Sequence, residues 1–289
     1  MSADNRKPDD TDGTTGHEWD GIRELNNPLP RWWLYIFYAT IVWAIGYVVL
    51  YPAIPGLDEA SKGLLGWSSR REVASEMQAV GQARAATIER IEATPLADLR
   101  HDRELMRIAV EGGRSAYKVY CVQCHGSGAA GSPGYPNLND DDWLWGGDLA
   151  AIEATLRHGI RATDDESTRN SMMPAFGRDG ILQAAQIDDV VEHVRQLSRQ
   201  PFDAAGARRG AAVFAENCAV CHGPAGAGMR EVGAPDLTDA IWLYGGDRAT
   251  LARTVHGPRG GVMPAWEKRL GPATVKQLAA YVHSLGGGE

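Results

Sequence analysis

The four cysteines of the chain fall in two copies of one pattern, Cys121-Val122-Gln123-Cys124-His125 and Cys218-Ala219-Val220-Cys221-His222. C-x-x-C-H is the attachment site of a c-type haem. Two thiols one helical turn apart add across the two vinyl groups of a porphyrin, and the adjacent His then lies under the iron as proximal ligand. A lone C-x-x-C has two other uses, as half of a zinc site or as a redox dithiol. A zinc site needs two more ligands at finger spacing, and a thioredoxin-like dithiol needs a βαβ setting; neither context is present. Because the two motifs use every cysteine, none remains for a disulfide. Two covalently bound haem c groups are expected, attached through Cys121 and Cys124 and through Cys218 and Cys221, with His125 and His222 on the irons.

An iron that only passes electrons is best six-coordinate, since a closed site reorganises little and excludes oxygen, and His/Met ligation raises its potential relative to two histidines. Met173 lies 48 residues after His125, and Met263 lies 41 after His222. Each precedes a proline, whose fixed φ and missing N–H hold an extended loop instead of a helix. Met173 and Met263 are therefore the expected distal ligands. Met172 is the alternative to Met173 but lacks the following proline, and Met229, after a Gly-rich loop, is read as packing. His158 and His256 are the alternatives for bis-histidine ligation; their repeated H-G setting suggests a polar role near a haem edge or a helix C-terminus. His193 and His283 are expected as surface or packing groups. Trp143, Trp145, Trp242 and Tyr244 read as pocket packing whose N–H or O–H finds a polar partner.

The elements that must position these groups occur twice. Gly113-x-x-x-Tyr117-x-x-x-Cys121 matches Gly210-x-x-x-Phe214-x-x-x-Cys218. On a helix these positions form one face leading into the haem motif, the glycine allowing close approach of another helix and the aromatic filling the contact. Pro136-Asn137-Leu138 then matches Pro235-Asp236-Leu237, and Trp145-Gly146-Gly147-Asp148 matches Tyr244-Gly245-Gly246-Asp247. Arg157-His158-Gly159 matches Val255-His256-Gly257, and Met173-Pro174-Ala175-Phe176 matches Met263-Pro264-Ala265-Trp266. Each copy closes with an apolar-periodic helix, Ile187 to Leu197 and Val275 to Leu285. This order resembles the mono-haem class I cytochrome c domain, present twice in tandem at 106–200 and 201–289. The resemblance implies an all-α fold, with terminal helices crossing over a haem that the loops enclose.

Ahead of the duplication, Trp32 to Tyr51 runs twenty residues without a charge, enough to span a bilayer at about 1.5 Å per residue. Aromatic residues mark both ends, as at a membrane interface. A secretory signal would begin nearer residue 1 and end in a small-residue cleavage site, so a single transmembrane helix over 32–51 is expected. Residues 1–16 are polar and turn-rich and read as a disordered tail. In 17–31, Trp19, Ile22 and Leu25 fall on one helical face, which reads as a short amphipathic segment. Residues 52–105 read as a connector containing one helix over 70–94. The net charge of −8 argues against a nucleic-acid binder. Residues 101–200 hold 15 Asp/Glu against 10 Lys/Arg, and 201–289 hold 8 against 9, so the first haem segment is the acidic one.

The run Trp19-Asp20-Gly21-Ile22-Arg23-Glu24-Leu25-Asn26-Asn27-Pro28-Leu29-Pro30-Arg31-Trp32-Trp33, followed by the span, resembles the N-terminal signature of one family. That family is the di-haem subunit, CcoP or FixP, of cbb3-type cytochrome c oxidases. The resemblance covers nearly the whole chain. It implies a membrane-anchored electron-transfer subunit that accepts electrons from a periplasmic c-type cytochrome and relays them toward oxygen reduction. It also implies a catalytic haem-copper subunit and a mono-haem cytochrome subunit as partners, with residues 1–31 cytoplasmic and 52–289 periplasmic at the bacterial inner membrane. Carried over by position, the family role pairs Cys121, Cys124, His125 and Met173 at one haem, and Cys218, Cys221, His222 and Met263 at the other. A tethered di-haem cytochrome serving a dehydrogenase, a nitric oxide reductase or a bc-type complex is the alternative. A di-haem peroxidase would need one open iron, against which the two Met-Pro pairs speak.

Overall fold

A helix that is apolar on every side has no preferred face to bury in a water-soluble protein. The helix α1, Arg31–Leu50, is such an element: it buries none of its residues and is long and apolar enough to cross a membrane. The computed structural model, which describes residues 13–288, starts it one residue before the expected span. Most of the expected disordered tail, residues 1–12, lies outside the described residues. The chain divides into two compact units, 1–83 and 84–289. In the first, the chain leaving α1 turns back on the helix end, Leu64 N–H donating to the Val49 carbonyl at 2.9 Å and Leu65 N–H to that of Leu50 at 3.1 Å.

The expected amphipathic helix before the span is instead a two-stranded antiparallel hairpin, β1 (Thr14–Trp19) and β2 (Ile22–Leu25), with Trp19 opposite Ile22 and Glu18 opposite Arg23. The reason is the Asp20-Gly21 pair. Both residues have positive φ, 50° and 84°, which is the type I′ turn whose twist matches paired strands and which Asp-Gly favours. Arg23 Nε donates to Glu18 Oε2 across the strands at 2.9 Å, while Trp19, Ile22 and Leu25 remain exposed.

The second unit is helical. The helix α2 (Ser69–Ala93) runs across the boundary between the units, and α3 (Leu96–Leu99) follows it. The first copy supplies α4 (Arg103–Tyr120), α5 (Val122–His125), α6 (Leu149–His158) and α7 (Ala184–Leu197). The second supplies α8 (Ala204–Asn217), α9 (Ala219–His222), α10 (Arg248–His256), α11 (Glu267–Leu270) and α12 (Pro272–His283). Aspartates cap the starts of four of these helices, a residue type whose side-chain oxygen satisfies the free N–H groups there. Asp148 Oδ1 accepts from Ala150 and Ala151 N–H at 2.9 Å each, and Asp247 Oδ1 accepts from Thr250 N–H at 3.0 Å. Asp102 and Asp203 do the same for α4 and α8.

The helices do not pair copy by copy. Helix α4 crosses α12, and α7 crosses α8. At both crossings the backbones approach through the anticipated glycine: a methyl on Gly113 would collide with the Gln277 carbonyl oxygen, and one on Gly210 with that of Asp189. One core joins Tyr117, Cys121, Ile152 and Leu156 of the first copy to Val275, Leu278, Ala279 and Val282 of the second. Another joins Phe176, Leu182, Ile187, Val190 and Val191 of the first copy to Phe214, Leu237 and Leu251 of the second. The linear division at 200/201 is therefore not the division of the packing. One lobe is a continuous stretch whose closing helix comes first, and it is inserted into the other lobe, which resumes with the methionine loop and α12.

Two features fix this arrangement. Only six residues, Ser198–Asp203, link α7 to α8, and short links make consecutive helices neighbours. In addition, α7 presents carboxylates to the second copy. Glu192, only 6% exposed, accepts from Arg248 Nε at 2.7 Å and from Asp203 N–H at 2.8 Å. Asp189 takes a bidentate pair from Arg209 at 2.6 and 2.8 Å. The residues expected as a mere connector also join the core. Ile91, Leu99 and Leu105 pack with Ala273 and Ala280 of α12, and Lys276 Nζ caps the end of α2, donating to the Glu92 and Thr94 carbonyls at 2.6 and 2.7 Å.

Candidate haem-binding sites

Each C-x-x-C-H motif begins where a long helix stops. Cys121 N–H still donates to the Tyr117 carbonyl at 2.9 Å, and Cys218 N–H to that of Phe214 at 2.8 Å. The chain then re-forms one turn, α5 or α9, that carries the second Cys and the His. This places both thiols and the imidazole on one side of the turn. Tyr117, 1% exposed, and Phe214, 2% exposed, are buried one turn before the motifs, in the same cores as Cys121 and Cys218. Tyr117 Oη also donates to the Gly126 carbonyl at 2.9 Å, tying the helix to the residue after His125. None of the four cysteines is paired in a disulfide. Burial, then the neighbouring thiol, pushes Cys121 and Cys218 up to about 11.

The two histidines are held alike. Nδ1 of His125 lies 3.1 Å from the Pro136 carbonyl oxygen, and Nδ1 of His222 lies 3.0 Å from that of Pro235. A carbonyl only accepts, so Nδ1 carries the proton and Nε2 keeps its lone pair. Burial lowers both pKa values, opposed in part by that same hydrogen bond. A neutral, oriented imidazole with a free Nε2 is what an iron ligand requires. The P-x-L repeat thus has a role the sequence reading missed, because the acceptor is a backbone oxygen; its signal was the proline recurring at nearly the same distance after each motif.

The methionines lie in loops docked across the copies. Met263 exchanges two backbone hydrogen bonds with Ile160, just beyond α6, at 2.9 and 3.0 Å. It packs on the core that holds Tyr117 and Cys121. Met173 packs on the core of Phe214, against which Cys218 also lies. Its loop is anchored when Gly177 and Arg178 N–H donate to the His256 carbonyl at 3.2 and 2.9 Å. Each motif thus shares a core with the methionine of the other copy, which departs from the positional pairing.

The alternatives are placed elsewhere. Met172 is exposed, and Met229 pairs its backbone with Ala234 and lines a cleft with Asp141, Asp142, Asp236 and Asp239. His158 Nδ1 bonds Asp165 Oδ1 at 3.1 Å, and the His256 side chain is exposed. His193 packs on the Phe214 ring at 5.2 Å. Trp143 and Trp242 pack against the two cores, and the Trp143 indole donates to the Gly287 carbonyl. Trp145 and Tyr244 instead receive the guanidinium groups of Arg169 and Arg259, at 5.3 and 3.9 Å.

Comparison with known proteins agrees with the architecture. Residues 11–58 match the family described as the N-terminal domain of cytochrome oxidase-cbb3, FixP. Residues 109–194 and 205–282 match cytochrome c oxidase, cbb3-type, subunit III. The cbb3-type cytochrome c oxidase subunit CcoP of Cereibacter sphaeroides is 55% identical over 276 residues, covering 96% of this chain and 95% of that one. The FixP subunit of Azorhizobium caulinodans is 53% identical over 96% of this chain and 94% of its own. That of Sinorhizobium medicae is 52% identical over the full length of both. With an apolar helix long enough to cross a membrane, two C-x-x-C-H motifs and relatives that match end to end, the chain belongs to the CcoP/FixP family of cbb3-type cytochrome c oxidase subunits.

Proposed function

We propose that the chain carries two haem c groups and passes electrons between a periplasmic c-type cytochrome and the catalytic subunit of its oxidase. The observation that carries this reading is the matched pair of histidines, each fixed through Nδ1 by a proline carbonyl and left with a free Nε2. Cys121 and Cys124 would hold one haem and Cys218 and Cys221 the other. His125 with Met263, and His222 with Met173, would close the two irons. When bound, the haems supply the one-electron redox couples. The protein's own part is to hold, orient and dry them. Tyr117 and Phe214 exclude water from the cores they share with Cys121 and Cys218, the prolines fix the imidazole rings, and the Met-Pro loops bring a thioether to the open side.

The helix α1 would anchor the chain with residues 1–31 cytoplasmic and the haem-bearing part periplasmic, because haem attachment to C-x-x-C-H takes place on the outer face of the membrane. Tethering keeps both redox sites near a membrane-bound acceptor and raises their effective concentration there. The partners would be a haem-copper catalytic subunit and a mono-haem cytochrome subunit. The acidic first copy would draw in a basic donor cytochrome.

The test is purification of the chain from native membranes in mild detergent, followed by oxygen uptake with reduced cytochrome c. Co-purification with a haem-copper subunit is expected, with uptake lost in Met173→Leu and Met263→Leu. A di-haem chain that purifies with a different redox complex would sink the oxidase role and leave the haem sites standing.

A further inference from the structure

Arg161 lies between the two methionine loops. Its backbone is left-handed, with φ of 52°, a conformation that costs energy for any residue bearing a Cβ. The surrounding backbone holds it there. Arg161 N–H donates to the Arg169 carbonyl at 2.7 Å, and the preceding Ile160 is bonded both ways to Met263. From this position the side chain reaches both loops. Nε donates to the Gly261 carbonyl at 2.7 Å, and Nη1 donates to the Ser171 carbonyl at 2.8 Å. Gly261 is two residues before Met263, and Ser171 is two residues before Met173. One guanidinium therefore grips the equivalent carbonyl in each copy.

We propose that Arg161 is a positioning residue for both distal methionines, so that closure of one haem iron is coupled to closure of the other. The inference rests on Met173 and Met263 being the iron ligands. The chemistry suits Arg and no other residue: its planar fork presents several N–H donors in fixed directions, and its charge strengthens bonds to carbonyl oxygens. A lysine ammonium lacks that fixed fork. The duplication provides an internal comparison. In the run H-G-x-R, Arg259 is the counterpart of Arg161, yet its guanidinium stacks on the Tyr244 ring. The clamp belongs to one copy and serves both.

The experiment uses the purified full-length di-haem chain and reads methionine ligation directly, through the far-red iron–sulfur charge-transfer band of the oxidised protein and carbon monoxide binding by the reduced protein. Met173→Leu and Met263→Leu should each remove the band of one haem and open that haem to carbon monoxide. Each single variant then leaves one haem with its methionine, and Arg161→Asn is added to each. Asn tolerates the left-handed backbone, so the turn is kept while the reach to the loops is lost. The expected result is a several-fold rise in carbon monoxide binding, with a weakened band, at the remaining haem in both backgrounds. Arg259→Asn should leave both readouts unchanged. A normal band and no carbon monoxide binding at the remaining haem after Arg161→Asn in either background would overturn the shared clamp, even if the melting temperature fell. If the methionine variants themselves left both bands intact, the ligand reading would fail, and the clamp with it, in a pattern distinct from failure of the clamp alone.

Discussion

Asp142 sits in the cleft beside Asp141, Asp236 and Asp239, with Arg230 across from it. Burial, then the charges of Asp239, Asp140 and Asp236, pushes its carboxyl up to about 6 against the opposing pull of Arg230. The folded state thus holds this proton more tightly than the unfolded chain. Its favourable contribution is full below the ordinary carboxylate range and is lost as pH rises through about 6. Asp142→Asn should therefore stabilise the protein at neutral pH by about 1 kcal/mol, the group being part-exposed and its interactions screened. Thermal melts at neutral pH and near pH 4 check it; equal shifts at both would remove the charge explanation. None of this was legible residue by residue, because Asp142 and Asp239 meet only through folding. The C-x-x-C-H spacing can be read locally for the opposite reason: covalent attachment of a haem would need Cys121, Cys124 and His125 close together within the chain itself. Arg161 lay hidden because its partners are backbone oxygens on two separate loops, Ser171 ten residues away and Gly261 a hundred.

At the scale of elements, apolar period and turn chemistry competed before the span, and turn chemistry won. Trp19, Ile22 and Leu25 fit a helical face, but they also flank Asp20-Gly21, whose paired positive φ values close a hairpin. The longer helices were legible in kind because their periods run for several turns: α7 begins at Ala184 where the sequence suggested Ile187. What the period could not show is the buried acid on α7. Desolvation alone would raise the pKa of Glu192, but hydrogen bonds from Asp203 N–H and Arg248, with the charges of Arg195 and Arg248, lower it. Its stabilisation is present above the unfolded carboxylate pKa and disappears as pH falls through the lowered folded value. Glu192→Ala leaves Arg195 and Arg248 without their shared carboxylate and should cost about 3 kcal/mol at neutral pH. The deficit should shrink in acid melts, and a penalty independent of pH would mean that packing, not charge, is what the substitution removes.

For the molecule as a whole, a duplicated sequence is degenerate in a specific way. Two fronts, each ending in C-x-x-C-H, and two backs, each carrying Met-Pro and a closing helix, are chemically alike, so their order along the chain does not say which back closes which front. The short link Ser198–Asp203, the Glu192 and Asp189 ion pairs and the Ile160–Met263 backbone pair break that degeneracy, and all of them are properties of the fold. Under the proposed ligation, the crossed packing would make each haem site depend on both copies, so that neither copy would close a site alone. It also makes a definite prediction. In a chain with Cys218→Ala and Cys221→Ala, only the haem on Cys121 and Cys124 remains. Met263→Leu should then open that iron to carbon monoxide, and Met173→Leu should leave it closed. With Cys121→Ala and Cys124→Ala the two methionines should exchange roles. If instead the nearer methionine in sequence proved to be the ligand in each case, the crossed pairing read from the packing of Met263 beside Tyr117 and Cys121 would be wrong.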